Sequence, residues 1–368
     1  MLKITEERKT VDILKRPAFS IVIAFACSVI YGWIRPEKIQ GLLELWGALV
    51  ILVLVLAIHE LGHVIFGLLN GLKFKFMVAG PIIVQKEGEK IRIRENKMWM
   101  YFGGLSTLLP PSIYTANLSK KWAWMTLGGP ITSLVFGIVS GYIYMVSYYQ
   151  FLLYFSVLHL AIFLATAIPM KGIMLSDGKQ FLILIKGDEK AKQHLHSIQV
   201  SSELWSCKRP KEWDEKLVEI SEEKIKGDEE VREMLSDLML TFYSRCDRKG
   251  MATGITCLEQ VLQIPVTKEN KYFVGGFHSW YMLYKVLYDM DDVSLQNMKQ
   301  HVEAITKLDP HGYYRTHAIL KYLEKDAESF HTYMKKAESE LKYAEKSGAG
   351  YLQLEREWFH LLQQKLVI

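Results

Sequence analysis

Apolar residues form long unbroken runs up to about residue 186; beyond it they are spaced at helical intervals among charged residues. A membrane span needs roughly 20 apolar residues. Four segments meet this requirement: 17–34, roughly 42–69, 122–148 and 151–169. A fifth stretch, 98–113, is shorter and is broken by Gly103-Gly104 and Pro110-Pro111, so it reads as interfacial or re-entrant. Glu6, Glu7 and Asp12 precede the first segment, and Trp33-Ile34-Arg35-Pro36 ends it without a small-residue cleavage site. It therefore reads as a retained helix rather than a signal peptide. The expected fold is an all-α polytopic membrane domain of about four transmembrane helices with a small membrane-associated β-hairpin or sheet. An all-α cytoplasmic domain follows. The expected divisions are 1–41 (N-terminal segment and first span), 42–186 (membrane core) and 187–368 (helical domain).

The loop between the second and third spans changes period. Phe74, Phe76 and Val78 alternate with Lys73, Lys75 and Met77, and Ile91 and Ile93 alternate with Lys90, Arg92 and Arg94. With a turn around Gln85–Glu89, this predicts a hairpin with one apolar face. The same loop is rich in Lys and Arg, as is the segment before the first span. The opposite loops hold only Arg35 and Lys38. The positive-inside rule then places both termini and the middle loop in the cytoplasm of a multi-pass protein, with the cell membrane as the expected location. The net charge of +5 belongs to that topology; no basic-aromatic motif supports nucleic-acid binding. The four cysteines, three of them in the second half, lack C-x-x-C spacing. They fit a reducing compartment better than a disulfide framework.

Late in the second span the chain reads His59-Glu60-Leu61-Gly62-His63. On a helix, i and i+4 imidazoles share one face one turn apart and can hold one metal. Zinc suits such ligands and, in catalytic sites, keeps a position open for water. Glu60 would be the general base toward a zinc-activated water. Ionisable groups deep in a span are costly and mark function. Three within one turn need a shared reason, and a Zn2+ ion supplies one. A third ligand must come from elsewhere. Asp177, in Ser176-Asp177-Gly178 after the fourth span, is the best-placed carboxylate, though an ordinary Asp-Gly turn accounts for it equally well. In the third span Gly129, Ser133, Gly137 and Gly141 recur every four residues, a small-residue stripe suited to close helix packing. His159, alone in the fourth span, reads as a histidine bonded within the bundle.

These motifs resemble the site-2 protease family of intramembrane zinc metalloproteases (peptidase family M50-like). The counterparts are His59-Glu60-Leu61-Gly62-His63, then Gly129-Pro130-Ile131-Thr132-Ser133, then Thr166-Ala167-Ile168-Pro169 through Asp177-Gly178. The likeness covers roughly residues 42–186. It implies a zinc site of His59, His63 and Asp177, with Glu60 as base. Ser133 and Thr166 stand where the family usually has asparagine and are the candidate substrate-binding residues. The stretch from Pro169 to Asp177 is longer than the family form by a few residues. The resemblance also implies a membrane-associated sheet near the middle loop, with Gly103-Gly104 similar to its glycine-containing strand.

After residue 187 the pattern is helical; Phe330, Met334, Ala337 and Leu341 fall on one face. Paired helices with large aromatics such as Trp280 and Tyr284 resemble tetratricopeptide repeats loosely, and a plain bundle reads as well. Either suits docking of a substrate or a cytoplasmic partner protein. The expected function is intramembrane zinc endopeptidase, acting on membrane-spanning or membrane-bound protein or peptide substrates within the lipid bilayer. The alternative is a non-proteolytic zinc-containing membrane adaptor that binds peptides or partner proteins through its helical domain.

Overall fold

The computed structural model describes residues 16–170, 175–226, 231–267, 270–290 and 293–366. Residues 1–15, which hold most of the N-terminal charges used for topology, lie outside the described residues. So does part of the segment between Pro169 and Asp177. The chain divides into two compact units, up to Leu195 and from His196.

Among its described residues the first unit holds four helices long and apolar enough to cross a membrane. They are α1 (Pro17–Ile34), α2 (Ile39–Leu69, continuing a 3-10 turn from Pro36), α3 (Leu118–Ser147) and α4 (Gln150–Ala167). Pro17 opens α1 at a position where its missing N–H costs nothing. The 31 residues of α2 give a rod of about 46 Å, longer than the roughly 30 Å hydrocarbon core. The outward faces of the spans leave Val22, Leu43, Val50, Val139 and Val157 exposed, as a lipid environment requires.

Helices α2 and α3 cross at glycine. A methyl on Gly62 would lie 2.5 Å from Gly128 O, and one on Gly128 would lie 2.4 Å from Gly62 O. The predicted stripe divides its work. Gly129 faces the two histidines of α2, whereas Gly137 packs on Leu160 and Gly141 on Ser156, both from α4. Pro130 sits inside α3, where the helix continues through it.

Between α2 and α3 the chain forms the small sheet expected there, four antiparallel strands in the order β3-β2-β1-β4, where residue alternation alone predicted a hairpin. Its strands are β1 (Lys73–Ala79), β2 (Ile82–Glu87), β3 (Lys90–Glu95) and β4 (Leu105–Leu109). The hairpin expectation missed β2. Two tight turns, at Gly80 (φ 57°) and Gly88 (φ 60°), insert it between the strands whose alternation was legible. A bulge between Phe74 and Phe76 also shifts the register. As a result Phe74 and Met77, not Phe74 and Phe76, pack on the core of Val64, Leu72, Leu108, Leu118 and Met125. The apolar stretch 98–113 holds a 3-10 turn (Trp99–Tyr101) and then β4.

After α4, helix α5 (Asp177–Lys186) returns against α3, where Ser119 Oγ donates to Leu184 O at 2.9 Å. Helix α6 (Glu189–Leu204) carries the chain from the first unit to the second. The second unit is helical throughout its described residues: α7 (Glu215–Lys224), α8 (Val231–Lys249), α9 (Met251–Ile255), α10 (Glu259–Leu262), α11 (Lys271–Tyr288), α12 (Leu295–Ala304), α13 (Pro310–Leu323), α14 (Ala327–Ala344) and α15 (Leu352–Lys365). The predicted face of α14 is buried, with Ala337 and Leu341 fully so. At the centre Glu355 accepts hydrogen bonds from Tyr243 Oη (2.7 Å), Trp280 Nε1 (2.9 Å) and Arg315 Nη1. All four cysteines are free thiols.

Candidate metal centre

His59 and His63 leave α2 on one face, and both are buried. Their rings meet edge to face with centroids 4.9 Å apart. Each Nδ1 is taken by the neighbouring helix: that of His59 lies 2.9 Å from Ser133 Oγ, and that of His63 lies 2.9 Å from Met125 O. The Met125 carbonyl can only accept, so His63 carries its proton on Nδ1 and presents a lone pair at Nε2. The longer approach of Gly129 N to the same Nδ1, 3.3 Å, is the lesser contact.

Asp177 Oδ2 stands 3.4 Å from both His59 Nε2 and His63 Nε2. The sequence brings it there by two devices. Ser176 caps α5, accepting from Lys179 N, and its hydroxyl also donates to Ile168 O (2.8 Å) and accepts from Met170 N (2.9 Å). The residues just after α4 are thus tied to the residue before Asp177. Gly178 provides the second device. A methyl there would stand 1.9 Å from Ala167 O, so only glycine lets α5 start against the end of α4.

Glu60 is buried beside the histidines, and ligand atoms of His59, Glu60 and His63 lie within 4.8 Å of one another. Two carboxylates therefore flank the imidazoles. Asp177 is the nearer to both Nε2 atoms. Glu60 is held from the sheet: Ser106 Oγ lies 2.6 Å from Glu60 Oε2 and 3.1 Å from Glu60 O. Gly104 (φ 111°) packs on the other oxygen, where a methyl would come within 2.3 Å of Oε1. Sequence patterning missed Ser106; its one signal was a polar residue in an apolar strand directly after Gly103-Gly104.

The chain belongs to peptidase family M50. The family model matches residues 47–345, spanning the His-Glu-x-x-His motif, the sheet, Asp177 and most of the second unit. No curated protein and no solved structure matches the chain. Family M50 is the site-2 protease family of intramembrane zinc metalloproteases, and the four apolar helices agree with a membrane protein of that kind. The residues fit the family's metal. Two imidazole nitrogens and a carboxylate oxygen are a zinc donor set. The space they face is one that a single methyl on Gly129 would fill, 2.3 Å from His63 Nε2 and 2.7 Å from His59 Nε2.

The structure treats the two candidate substrate residues differently. Ser133 is fully buried behind His59. Thr166 is half-buried near the end of α4, its hydroxyl bonded to Ile162 O at 3.0 Å. His159, fully buried in α4, comes within 3.4 Å of Ser133 Oγ through Nδ1.

Proposed function

We propose that this M50 protein is an intramembrane zinc endopeptidase acting on membrane-spanning or membrane-bound protein or peptide substrates. His59, His63 and Asp177 are its zinc ligands and Glu60 its general base. The observation that carries the reading is the convergence of His59 Nε2, His63 Nε2 and Asp177 Oδ2, at 3.4 Å, inside a bundle of apolar helices. Zinc held there supplies the Lewis acidity that makes water a nucleophile near neutral pH. Glu60 takes the water proton and returns it to the leaving amine. The hydroxyl of Ser106 holds the carboxylate in place for that transfer. Gly129 leaves room for the metal, and Asp177 is set by Ser176 and Gly178.

A transmembrane substrate hides its peptide bonds in its own helix and must be unwound before it is cut. Among the described residues strand β4 ends the sheet and pairs with β1 alone, and its other edge is proposed to receive an extended peptide. Gly104 and Ser106 put that strand directly against Glu60, so a peptide paired along β4 passes the base. Thr166 is the proposed substrate contact on α4. Ser133, enclosed behind His59, is assigned to the ligand instead. The helical domain is proposed to dock the substrate or a partner protein on the cytoplasmic side, with both chain termini there.

Co-expression with candidate membrane substrates, comparing wild type with Glu60→Gln, tests the reading. Cleavage is expected to disappear while about one zinc per chain stays bound, since Glu60 is not among the three ligands. Equal processing by both proteins refutes proteolysis. Loss of zinc from Glu60→Gln makes Glu60 a fourth ligand and the site a closed structural one, as the adaptor alternative requires.

A further inference from the structure

We propose that His159 is a positioning residue for the metal-binding ring of His59, acting through Ser133; the proposal rests on the zinc reading above. A neutral imidazole that gives Nε2 to a metal keeps its proton on Nδ1, and the partner of that N–H fixes the ring. For His59 the partner is Ser133 Oγ at 2.9 Å. Once Ser133 accepts there, its own proton must be donated elsewhere, because an unpaired hydroxyl in an apolar interior is costly. Among the described residues the other partner of this hydroxyl is His159 Nδ1, at 3.4 Å. His59 Nδ1–H therefore donates to Ser133, and Ser133 Oγ–H donates to His159 Nδ1. The reverse direction would bring two N–H groups to one oxygen and leave the hydroxyl proton without an acceptor.

The chain ends at His159. Its proton is then on Nε2, which has no hydrogen-bond partner among the described residues. The ring is instead clamped by aromatics, stacked on Phe136 (centroids 5.6 Å apart) and edge-on to Phe155 (4.5 Å). A histidine fully buried in an apolar span, satisfied at one nitrogen only and oriented by two phenylalanines, is built to present that nitrogen. A serine hydroxyl rotates freely and has one proton to give. With His159 as acceptor the rotor is fixed, and the lone pair facing His59 stays in line. The peptide-bond chemistry requires nothing of His159 directly; its effect is on how tightly and in what orientation His59 holds the metal.

The test is zinc affinity of the detergent-purified full-length protein, by competition with a chromogenic chelator and with apo-protein melting as the folding control. Ser133→Ala and His159→Phe are each expected to weaken zinc roughly 10–100-fold, the range for outer-shell partners of metal ligands. His159→Asn places an amide oxygen where Nδ1 stood and is expected to bind near wild type. His159→Leu serves if phenylalanine disturbs the packing. The double variant Ser133→Ala/His159→Phe is expected to bind no more weakly than Ser133→Ala alone, because cutting the chain once already severs it. Wild-type affinity in both His159→Phe and His159→Leu overturns the proposal. So does a loss in His159→Phe that adds in full to that of Ser133→Ala, or failure of asparagine to restore binding. Absence of zinc from folded wild type refutes the zinc reading itself and the proposal with it.

Discussion

Gly129→Ala separates the metal centre from the fold more sharply than removal of a ligand. Its added methyl would stand 2.3 Å from His63 Nε2, 2.7 Å from His59 Nε2 and 2.7 Å from His63 Cε1. Ordinary contact needs about 3.5 Å or more, so the rings must retreat by roughly 1 Å. Metal-ligand distances hold to about ±0.2 Å. The retreat exceeds that tolerance several times over, and the methyl occupies the space between the donors. Zinc affinity is expected to fall more than about 100-fold, or about 2.8 kcal/mol. Stability should move far less. Overpacking costs about 1–3 kcal/mol, against a gain of about 1 kcal/mol when alanine replaces glycine in a helix. Gly47→Ala, with nothing within 4 Å, is the control in the same bundle. The assay is zinc content after dialysis against a graded chelator, alongside thermal melting in the metal-free state. Wild-type zinc affinity in a folded Gly129→Ala protein would refute the siting of the metal between these nitrogens.

Three further outcomes follow from particular contacts. Ser106→Ala removes a hydrogen bond to a carboxylate worth about 1.5–3 kcal/mol, and is expected to lower kcat about tenfold or more with KM and zinc content unchanged; unchanged kcat would mean that Ser106 does not hold the base. Burial pushes the Glu355 carboxyl up, but the Arg315 charge and the hydrogen bonds from His311 and Tyr243 outweigh it and hold the group below its ordinary range. Glu355→Gln leaves the fully buried Arg315 without its counter-charge and should cost about 3–5 kcal/mol, seen as early melting of tryptophan fluorescence; an unshifted melt would contradict this. Burial, reinforced by neighbouring His301, lowers the His278 pKa from 6.5 to about 4, so the unfolded chain takes up a proton that the folded one refuses. Stability should therefore fall as pH drops from about 6.5 toward 4, a slope that His278→Phe makes shallower and that melting curves across this range would reveal.

The four apolar helices and the shared face of His59 and His63 could be read from the chain because each rests on local periodicity. An apolar run or an i,i+4 pair carries its meaning within one element. Asp177 could be nominated but not placed. Its distance to the histidines depends on Ser176 bonding back to Ile168 and Met170, and on Gly178 yielding to Ala167 O, contacts between the end of α4 and the start of α5 that no spacing encodes. The sheet was half legible. Alternation marked β1 and β3, but β2, Ile82-Ile83-Val84-Gln85-Lys86-Glu87, opens on consecutive apolar residues that show no period of two. The bulge beside Lys75 then moved Phe76 away from the face its spacing predicted.

How the residues around the proposed ligands connect escaped the sequence for one shared reason: Ser106 was not singled out, and Ser133 and His159 were named but not linked to His59. Ser106, Ser133 and His159 lie 46, 74 and 100 positions from the groups they hold or sit behind, each in a largely apolar segment where other polar residues, such as Thr107, Thr132 and Ser156, carry the same isolated signal. What distinguishes them is where their hydrogen bonds go. In an apolar interior a hydroxyl or imidazole must find a protein partner, and for these three that partner lies toward the site. Ser106 leads to Glu60, and Ser133 to His59. His159 leads to Ser133 and through it to the same ring. Three helices and one strand thus bring His59, Glu60, His63, Ser106, Ser133 and His159 together, whereas Thr126, Ser140 and Thr166 bond back to their own helices.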